Sequence, residues 1–415
     1  MFSKPQPTIL VGLEIGTTKI CAVVGELSPE GNLHIVGIGQ SVSKGVRKGE
    51  IVDTQQAEED IRRAIAEAEN MADVEVHSLV IGVTGSHIRS LNNRGVHPVA
   101  SAEAGLTDAD VEDVVRNAKV VNLGTDRELI HAIRQHFTLD GQRVINPVGM
   151  SGRRLEVEMH VVSGSQSRME NSIRLIKGLQ LKVDDIAFNG LASALALLNS
   201  EQKELGALVI DMGAGTTDYA VFSQGVLKHC GTLAVGGDHV TNDLSQGLKV
   251  TLRRAEQLKL ERGGALPDDS LNGQSLTFHT EHGMPLKTVN LGHLRQIMHA
   301  RLEEIFEVIA ADLRPTGLLP SLNAGAFLCG GGAHIPQINT LAEHVLELPV
   351  ATGRANGVSG LATALDKPEF ATGIGLVKYW SLRAKPRPPK KKTDLIAGVR
   401  ERFTQALSVT RLFLL

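Results

Sequence analysis

Aromatic residues are scarce in this 415-residue chain: 3% in all, with one Trp and two Tyr. That scarcity argues against a nucleic-acid binder that stacks bases on aromatic platforms. Charge of one sign is missing too. Forty-three Lys and Arg stand against 46 Asp and Glu, a formal charge of −3, so the chain as a whole is no polyanion binder. Any electrostatic partner must meet a local patch. Only three cysteines occur, Cys21, Cys230 and Cys329, far apart and each in or beside an apolar run. This pattern predicts buried reduced thiols, not a disulfide framework or a metal site. The 15 His show no HExxH or other ligand spacing. No uncharged apolar stretch of about 18 residues predicts a membrane span. MFSKPQPT carries one Lys and no apolar h-region, so no signal peptide is expected.

What is present is a repeat. Ile9-Leu10-Val11-Gly12-Leu13-Glu14-Ile15-Gly16-Thr17-Thr18-Lys19 is an apolar strand, a carboxylate and a glycine turn with hydroxyls. Ala207-Leu208-Val209-Ile210-Asp211-Met212-Gly213-Ala214-Gly215-Thr216-Thr217-Asp218 has the same layout. Each runs on into another apolar segment, Ile20 to Val24 and Tyr219 to Phe222. In a P-loop or dinucleotide fingerprint the turn opens a helix; here it returns into a strand and makes a hairpin. Two such hairpins imply an internal duplication with a nucleotide between the halves.

Other segments read more simply. Thr54 to Ala72 is a helix with Ala57, Ile61, Ile65 and Ala68 on one face, and Ser78 to Val83 a short apolar strand. Thr107 caps a helix through about Val121, with Asp108 and Asp110 in its first turn. Leu155, Val157, Met159 and Val161 alternate with Arg154, Glu156, Glu158 and His160, the period of a half-buried strand. Ser165 to Leu179 and the apolar Leu191 to Leu198 read as helices. Thr241 to Leu260 and Leu291 to Leu313 read as long amphipathic helices around a hairpin-like stretch at 263–283. Phe327 to Cys329 is a strand, with a helix from about Pro336.

Phosphate oxygens need several donors at close range, which backbone without Cβ atoms supplies densely. Gly16, Thr17, Thr18 and Lys19 offer N–H groups, two hydroxyls and a cation; Gly213, Ala214, Gly215, Thr216 and Thr217 offer the same without the cation. Glu14 and Asp211 emerge beside these turns, either as turn-capping acids or as holders of Mg²⁺ waters, since magnesium takes few protein ligands. Gly330-Gly331-Gly332 after a strand suits close approach to an adenosine, and Gly236-Gly237 is a weaker signal of the same kind. Glu256 and Lys259 share a helix face and either reach that ribose or base or form a surface pair.

Composition shifts after Trp380. Residues 381–393 hold six Lys and Arg, three prolines and no acid, a solvated linker. Beyond it 394–415 reads as a helix of roughly 33 Å. Leu395, Ile396, Val399, Phe403, Leu407 and Phe413 fall within one arc of roughly 160°. A core-packed helix shows the same stripe, but the linker separates this one from the body. An apolar face behind a polybasic patch is the two-signal arrangement of a reversible anchor on an anionic membrane surface.

The residues resemble the superfamily of actin, the seventy-kilodalton heat-shock chaperones and sugar kinases. Within it they are similar to the FtsA family of bacterial cell-division actin homologues. GLEIGTTKI at 12–20, NPVGMSGRRLEVEMHVV at 146–162, LASALALL at 191–198 and VIDMGAGTTDYAVF at 209–222 carry the likeness. GGDHVTNDLS at 236–245, LCGGGAHIP at 328–336 and ATGIGLVKY at 371–379 continue it, so that it spans about 8–380. The resemblance implies an α/β, actin-like two-lobed ATPase fold of duplicated ribonuclease-H-like domains, each with a five-stranded sheet. It implies subdomain 1A at 1–84, 163–195 and 360–380, 1C at 85–162, 2A at 196–235 and 311–359, and 2B at 236–310. It implies ATP and Mg²⁺ on the residues named above, a filament of the chain with itself, and a tether for FtsZ on the inner membrane face at the division septum. The acidic C-terminal peptide of FtsZ would meet Lys287 and Arg301, with Arg295 close by as either a contact or a solvated helix charge. Other division proteins would meet 1C.

Two departures from the family pattern bear on turnover. Glu14 stands where the family has aspartate, and Asn189-Gly190 where it has Gln-Pro. Glu14, Asn189 and Asp211 are thus the candidates near metal or attacking water, and weak ATPase activity at most is expected. The other readings are another actin-fold protein, such as a PilM-like assembly module, or a small-molecule kinase. A kinase needs a base for the substrate hydroxyl, and no motif supplies one.

Overall fold

The computed structural model describes residues 7–99, 105–271, 273–278 and 287–384. The apolar tail positions Leu395, Ile396, Val399, Phe403, Leu407 and Phe413 lie outside the described residues, as do residues 385–393 of the basic linker.

The described chain begins with a hairpin of β1 (Thr8–Ile15) and β2 (Lys19–Leu27), then β3 (Leu33–Val42). A short hairpin of β4 (Val46–Arg47) and β5 (Glu50–Ile51) precedes α1 (Thr54–Ala72) and β6 (Ser78–Val83). An inserted unit follows: β7 (Arg89–Pro98), α2 (Asp108–Lys119), β8 (Arg127–Leu139), β9 (Gln142–Val144) and β10 (Arg154–Ser165). Next come α3 (Gln166–Gly178), β11 (Lys182–Phe188), α4 (Asn189–Leu197) and α5 (Ser200–Leu205). The second lobe starts with the hairpin β12 (Ala207–Met212) and β13 (Thr217–Ser223), then β14 (Val226–Leu233). It continues through α6 (Gly237–Leu248), α7 (Leu252–Arg262), β15 (Ser275–Phe278), β16 (Lys287–Asn290) and α8 (Leu291–Leu313). Then follow β17 (Ala326–Cys329), α9 (Ile338–Leu346), β18 (Val350–Thr352), β19 (Ser359–Gly360), α10 (Ala362–Leu365) and α11 (Ala371–Arg383).

One sheet is ordered β11-β6-β1-β2-β3-β19, another β18-β17-β12-β13-β14. In each, the first hairpin strand takes a parallel neighbour, β6 or β17, and the second takes an antiparallel one, β3 or β14. A further parallel strand, β11 or β18, completes the set. One topology is built twice, as the repeated hairpin sequence implies. The first sheet has a sixth strand beyond the five expected, because Ser359 and Gly360 pair with His34 and Ile35. The inserted unit forms its own sheet, β7-β10-β8-β9, with α2 packed on it through Val111, Val114 and Ala118. Thr107 and Asp110 close the expected capping box on α2.

Helices α4 and α11 lie between the two lobe sheets. Every residue of α4 is buried, and Leu191, Leu195, Ile374 and Val377 share one core with Val23 of the first sheet and Val209 of the second. Each fully buried side chain of this size contributes about 1.5–3 kcal/mol. A methyl on Gly375 would strike the Ala192 carbonyl, so glycine sets how closely the helices cross. On the outer face of the first sheet, α1 buries Ala57, Ile61, Ala64, Ile65 and Ala68 behind its Asp53 cap. Cys21, Cys230 and Cys329 are free and buried. Among the described residues no helix is long and apolar enough to cross a membrane.

Three further sequence expectations fail. The linker expected at 381–393 begins later, since α11 carries Ser381, Leu382 and Arg383, and Arg383 pairs with Asp185. The helix expected over 241–260 is two, α6 and α7, because Lys249 turns left-handed (φ 53°) and Thr251 caps a new start by accepting from Arg254 N. The half-buried strand around 155–161 has two of its outward residues, Glu156 and His160, buried. Glu156 is covered by ion pairs with Arg94 and Arg154, and His160 bonds Asn92 and the Cys230 thiol of β14 in the second lobe. At His160 the expected solvent face is an interface, while Arg154 and Glu158 stay exposed.

Candidate functional site

Both hairpin turns close in the same way. Gly16 N donates to Lys19 O at 3.0 Å, and Gly213 N to Thr216 O at 2.9 Å. The tips meet between the lobes: a Cβ on Gly215 would overlap the Thr17 hydroxyl and come within 2.8 Å of Lys48 Cα. Glycine at 215 is what allows this approach. Gly236 and Gly237 belong to the same place, since Gly237 N donates to Gly213 O at 3.0 Å and Asp238 N to Ala214 O at 2.8 Å. Thr217 spends its hydroxyl on Val235 O at 2.8 Å, while Thr18 O accepts Ser43 N at 3.0 Å.

The carboxylates sit at the roots of the hairpins. Asp211 Oδ2 accepts from Ser193 on α4 at 2.6 Å and from Thr372 on α11. Glu14 is 3.6 Å from Lys19 Nζ, and its Oε2 is buried without a hydrogen-bond partner. Burial pushes the Glu14 carboxyl up, the Lys19 charge pulls it down, and Asp211 pushes it up again. Lys19 is turned back from the tip: its ammonium also donates to Glu369 O and lies 5.0 Å from the Phe370 ring centre. Asn189, at the start of α4, has a buried Oδ1 with no partner, pressed against Gly82. Among the described residues no three His, Cys, Asp or Glu side chains gather as a metal cluster. Two carboxylates, one with an orphaned oxygen, suit a hydrated magnesium ion that takes few protein ligands.

Gly330, Gly331 and Gly332 follow β17. Gly330 has φ +77°, and a Cβ there would overlap Asp211 Oδ1, so only glycine fits. A Cβ on Gly331 would meet nothing within 4 Å, which leaves that backbone open to a flat ring. Glu256 and Lys259 form an ion pair of 2.6 Å, and Lys259 Nζ also reaches Gly237 O at 3.2 Å and Thr241 Oγ1 at 2.9 Å. The pair therefore borders the second hairpin.

The basic residues of the second lobe are differently placed. Arg301 is engaged by Asp243 and Glu304, and Arg295 folds over Gly264 to donate to Arg262 O and Gln337 Oε1. Lys287 lies opposite Phe278 in the β15–β16 pair, and the Arg254 guanidinium stacks 4.0 Å from that ring.

Sequence reasoning missed Asp218. It is the cross-strand partner of Asp211, and its Oδ1 accepts from Thr84 on the first lobe at 2.7 Å and from Thr232 at 2.6 Å. Burial pushes it up to about 8 against those hydrogen bonds, with Asp211 and Glu14 adding to the rise. The signal was present: in a hairpin closing at Met212 and Thr217, position 218 must face 211.

Two equivalent sheets, a hairpin tip from each meeting in the cleft, and a glycine turn at one wall define a two-lobed actin-like fold. Solved structures share it. The PilM–PilN type IV pilus biogenesis complex aligns with a TM-score of 0.64 at 16% identity, covering 92% of this chain and 99% of that one. MreB5 of Spiroplasma citri bound to ADP aligns at 0.55 and 14%, covering 91% and 96%. The family model for cell division protein FtsA matches residues 208–375, and that for the SHS2 domain inserted in FtsA matches 85–163. Cell division protein FtsA of Pseudomonas aeruginosa is 36% identical over 380 residues, 91% of each chain. That of Escherichia coli K12 is 33% identical over 379 residues, 89% of this chain and 90% of the relative. The chain belongs to the FtsA family of cell division proteins.

The Asp218 carboxyl gives a pH test. Its folded value of about 8 lies above an unfolded value of about 3.9, so the folded protein holds the extra proton between them. Stability from this group is full at low pH and lost as pH rises through that window. Asp218→Asn keeps an acceptor for Thr84 and Thr232 and has no such loss. Its melting temperature relative to wild type, without nucleotide, should climb from pH 5 to pH 8 and then level. A difference independent of pH contradicts the assignment.

Proposed function

We propose that the chain binds ATP with a magnesium ion between its lobes, forms filaments on the inner membrane face at the division septum, and tethers FtsZ filaments there. The observation that carries the nucleotide reading is the meeting of the two hairpin tips, which sets two rows of backbone donors around one small volume. The solved structures of MreB5 of Spiroplasma citri bound to ADP and to AMPPNP, of the same fold, support it. Gly16, Thr17, Thr18 and Gly213 to Thr217 hold the phosphates, and Gly236, Gly237, Glu256, Lys259 and Gly330 to Gly332 border the adenosine. Glu14 and Asp211 hold the waters of the magnesium ion, which when bound supplies charge for the terminal phosphates.

Turnover is slow in this reading. Asn189 Oδ1 is an acceptor that can orient a water, but an amide does not take its proton. Asp218, the other acid of this hairpin, already receives Thr84 and Thr232 on its Oδ1. Titration calorimetry should find ATP binding with magnesium, lost in Gly215→Val, whose branched side chain overlaps Thr17 and forces the tips apart. Phosphate release should stay below about one per second, the bottom of the usual enzyme range. Absent binding, or many turnovers per second, would sink this reading.

The division of labour follows the family pattern: subdomain 1A at 1–84, 163–195 and 360–380; 1C at 85–162 for other division proteins; 2A at 196–235 and 311–359; and 2B at 236–310 for the FtsZ peptide. Lys287 is the first contact for that acidic peptide, and Arg301 joins it by exchanging Asp243 and Glu304 for the peptide's carboxylates. Residues 394–415 are the anchor. Cosedimentation with anionic liposomes separates these parts. The full chain should carry FtsZ into the pellet, Lys287→Glu should pellet alone, and the 394–415 deletion should stay in solution. A deletion variant that still pellets like the full chain removes the anchor; undiminished FtsZ in the Lys287→Glu pellet removes that contact.

A further inference from the structure

The β4–β5 hairpin has no part in the reading above. Its register, Val46 opposite Ile51 and Arg47 opposite Glu50, leaves a two-residue tip of Lys48 and Gly49. Both tip residues have positive φ, 50° and 75°, the conformation of a tight type I′ turn. Lysine is an unusual choice there, because a Cβ is strained in that region and Asn or Gly serves better.

The tip touches both nucleotide hairpins at once. Gly49 N donates to Thr17 Oγ1 at 3.1 Å, tying it to the first. A Cβ on Gly215 would lie 2.8 Å from Lys48 Cα and 3.0 Å from Lys48 N, so it also packs on the second. A Cβ on Gly49 would lie 2.8 Å from the Thr84 methyl, and Thr84 is the residue that reaches across to Asp218. The tip is therefore a third element at the phosphate end of the cleft.

Its charge is uncommitted. The Lys48 side chain is exposed and has no ion pair or side-chain hydrogen bond among the described residues. Lys19, the cation that the sequence offers to the phosphates, is by contrast held by Glu14 and Glu369 O. Across the cleft, at the start of α6, the His239 imidazole is held below its ordinary value by burial first and by Lys48 next, so the ammonium's field reaches the second lobe. Arg47 acts likewise on Asp238 as a minor influence.

We propose that Lys48 is a specificity residue for the nucleoside triphosphate, donating to the terminal phosphate from the tip of the β4–β5 hairpin. The proposal rests on the nucleotide reading above. A backbone cradle formed by the two hairpins grips phosphates whether two or three are present; a free ammonium on the adjoining hairpin tip adds affinity only when the extra phosphate is there. A charged hydrogen bond of this kind corresponds to about tenfold in affinity.

The test is calorimetric titration of the full chain with ATP and with ADP, both with magnesium, for wild type, Lys48→Asn and Lys48→Arg. Asparagine suits positive φ and removes the charge; arginine keeps it. Lys48→Asn should bind ADP as wild type does and ATP about tenfold more weakly. Lys48→Arg should restore most of the difference, and melting temperatures without nucleotide should agree to show intact folding. An unchanged ATP-to-ADP ratio in Lys48→Asn overturns the role of Lys48, as does an equal loss for both nucleotides. Wild type that binds neither nucleotide overturns the parent reading instead.

Discussion

One close approach holds the cleft together: the Thr17 hydroxyl against the backbone at Gly215. It exists because two hairpins of the same construction, one at the root of each lobe, point at each other and Gly215 puts no side chain in the way of Thr17. The Gly49 amide bonds the same hydroxyl from a third direction. Around this point the lobes are also joined by Thr84 to Asp218 and, through Asp211, by Ser193 and Thr372. Away from the cleft the lobes are joined by the shared core of α4 and α11 and by the inserted sheet, where His160 meets Cys230 and Ser90 donates to Cys230 O.

The cleft is also where the fold accepts electrostatic cost. Glu14, Asp211 and Asp218 are gathered in a buried region with Lys19 as the cation beside them, and burial holds Glu14 and Asp218 above their ordinary values. Isolated buried charge is expensive, and orphaned acceptors such as Glu14 Oε2 and Asn189 Oδ1 are rare in interiors. Such groups persist where a ligand completes them. The surrounding core carries the cost: α4 and α11 are packed from both sides by the lobe sheets.

The duplication was legible in the sequence because both copies keep strand, carboxylate and glycine turn, and a hairpin's periodicity is local. α1, α2 and α8 were legible for similar reasons, since stripe and cap are written within a few residues of each other. Long-range features were not. His160 alternates like a surface residue, and only the docking of the inserted sheet against β14 buries it. The break at Lys249 depends on one left-handed residue in an otherwise continuous stripe, with Thr251 as its faint signature. Asp218 was overlooked although its place followed from hairpin register, and Lys48 because a single lysine in a polar turn has no pattern. Arg301 illustrates the reverse limit: sequence gives a basic charge, and the fold supplies Asp243 and Glu304 to meet it.

In the proposed complex both hairpins grip one nucleotide together. Amide hydrogen exchange of the full chain, with and without magnesium ATP, measures this most directly. Residues 16–19 and 213–217 should gain protection in parallel, at the same nucleotide concentration and to a similar degree. Protection confined to one hairpin, or rising in the two at different nucleotide concentrations, would contradict the claim.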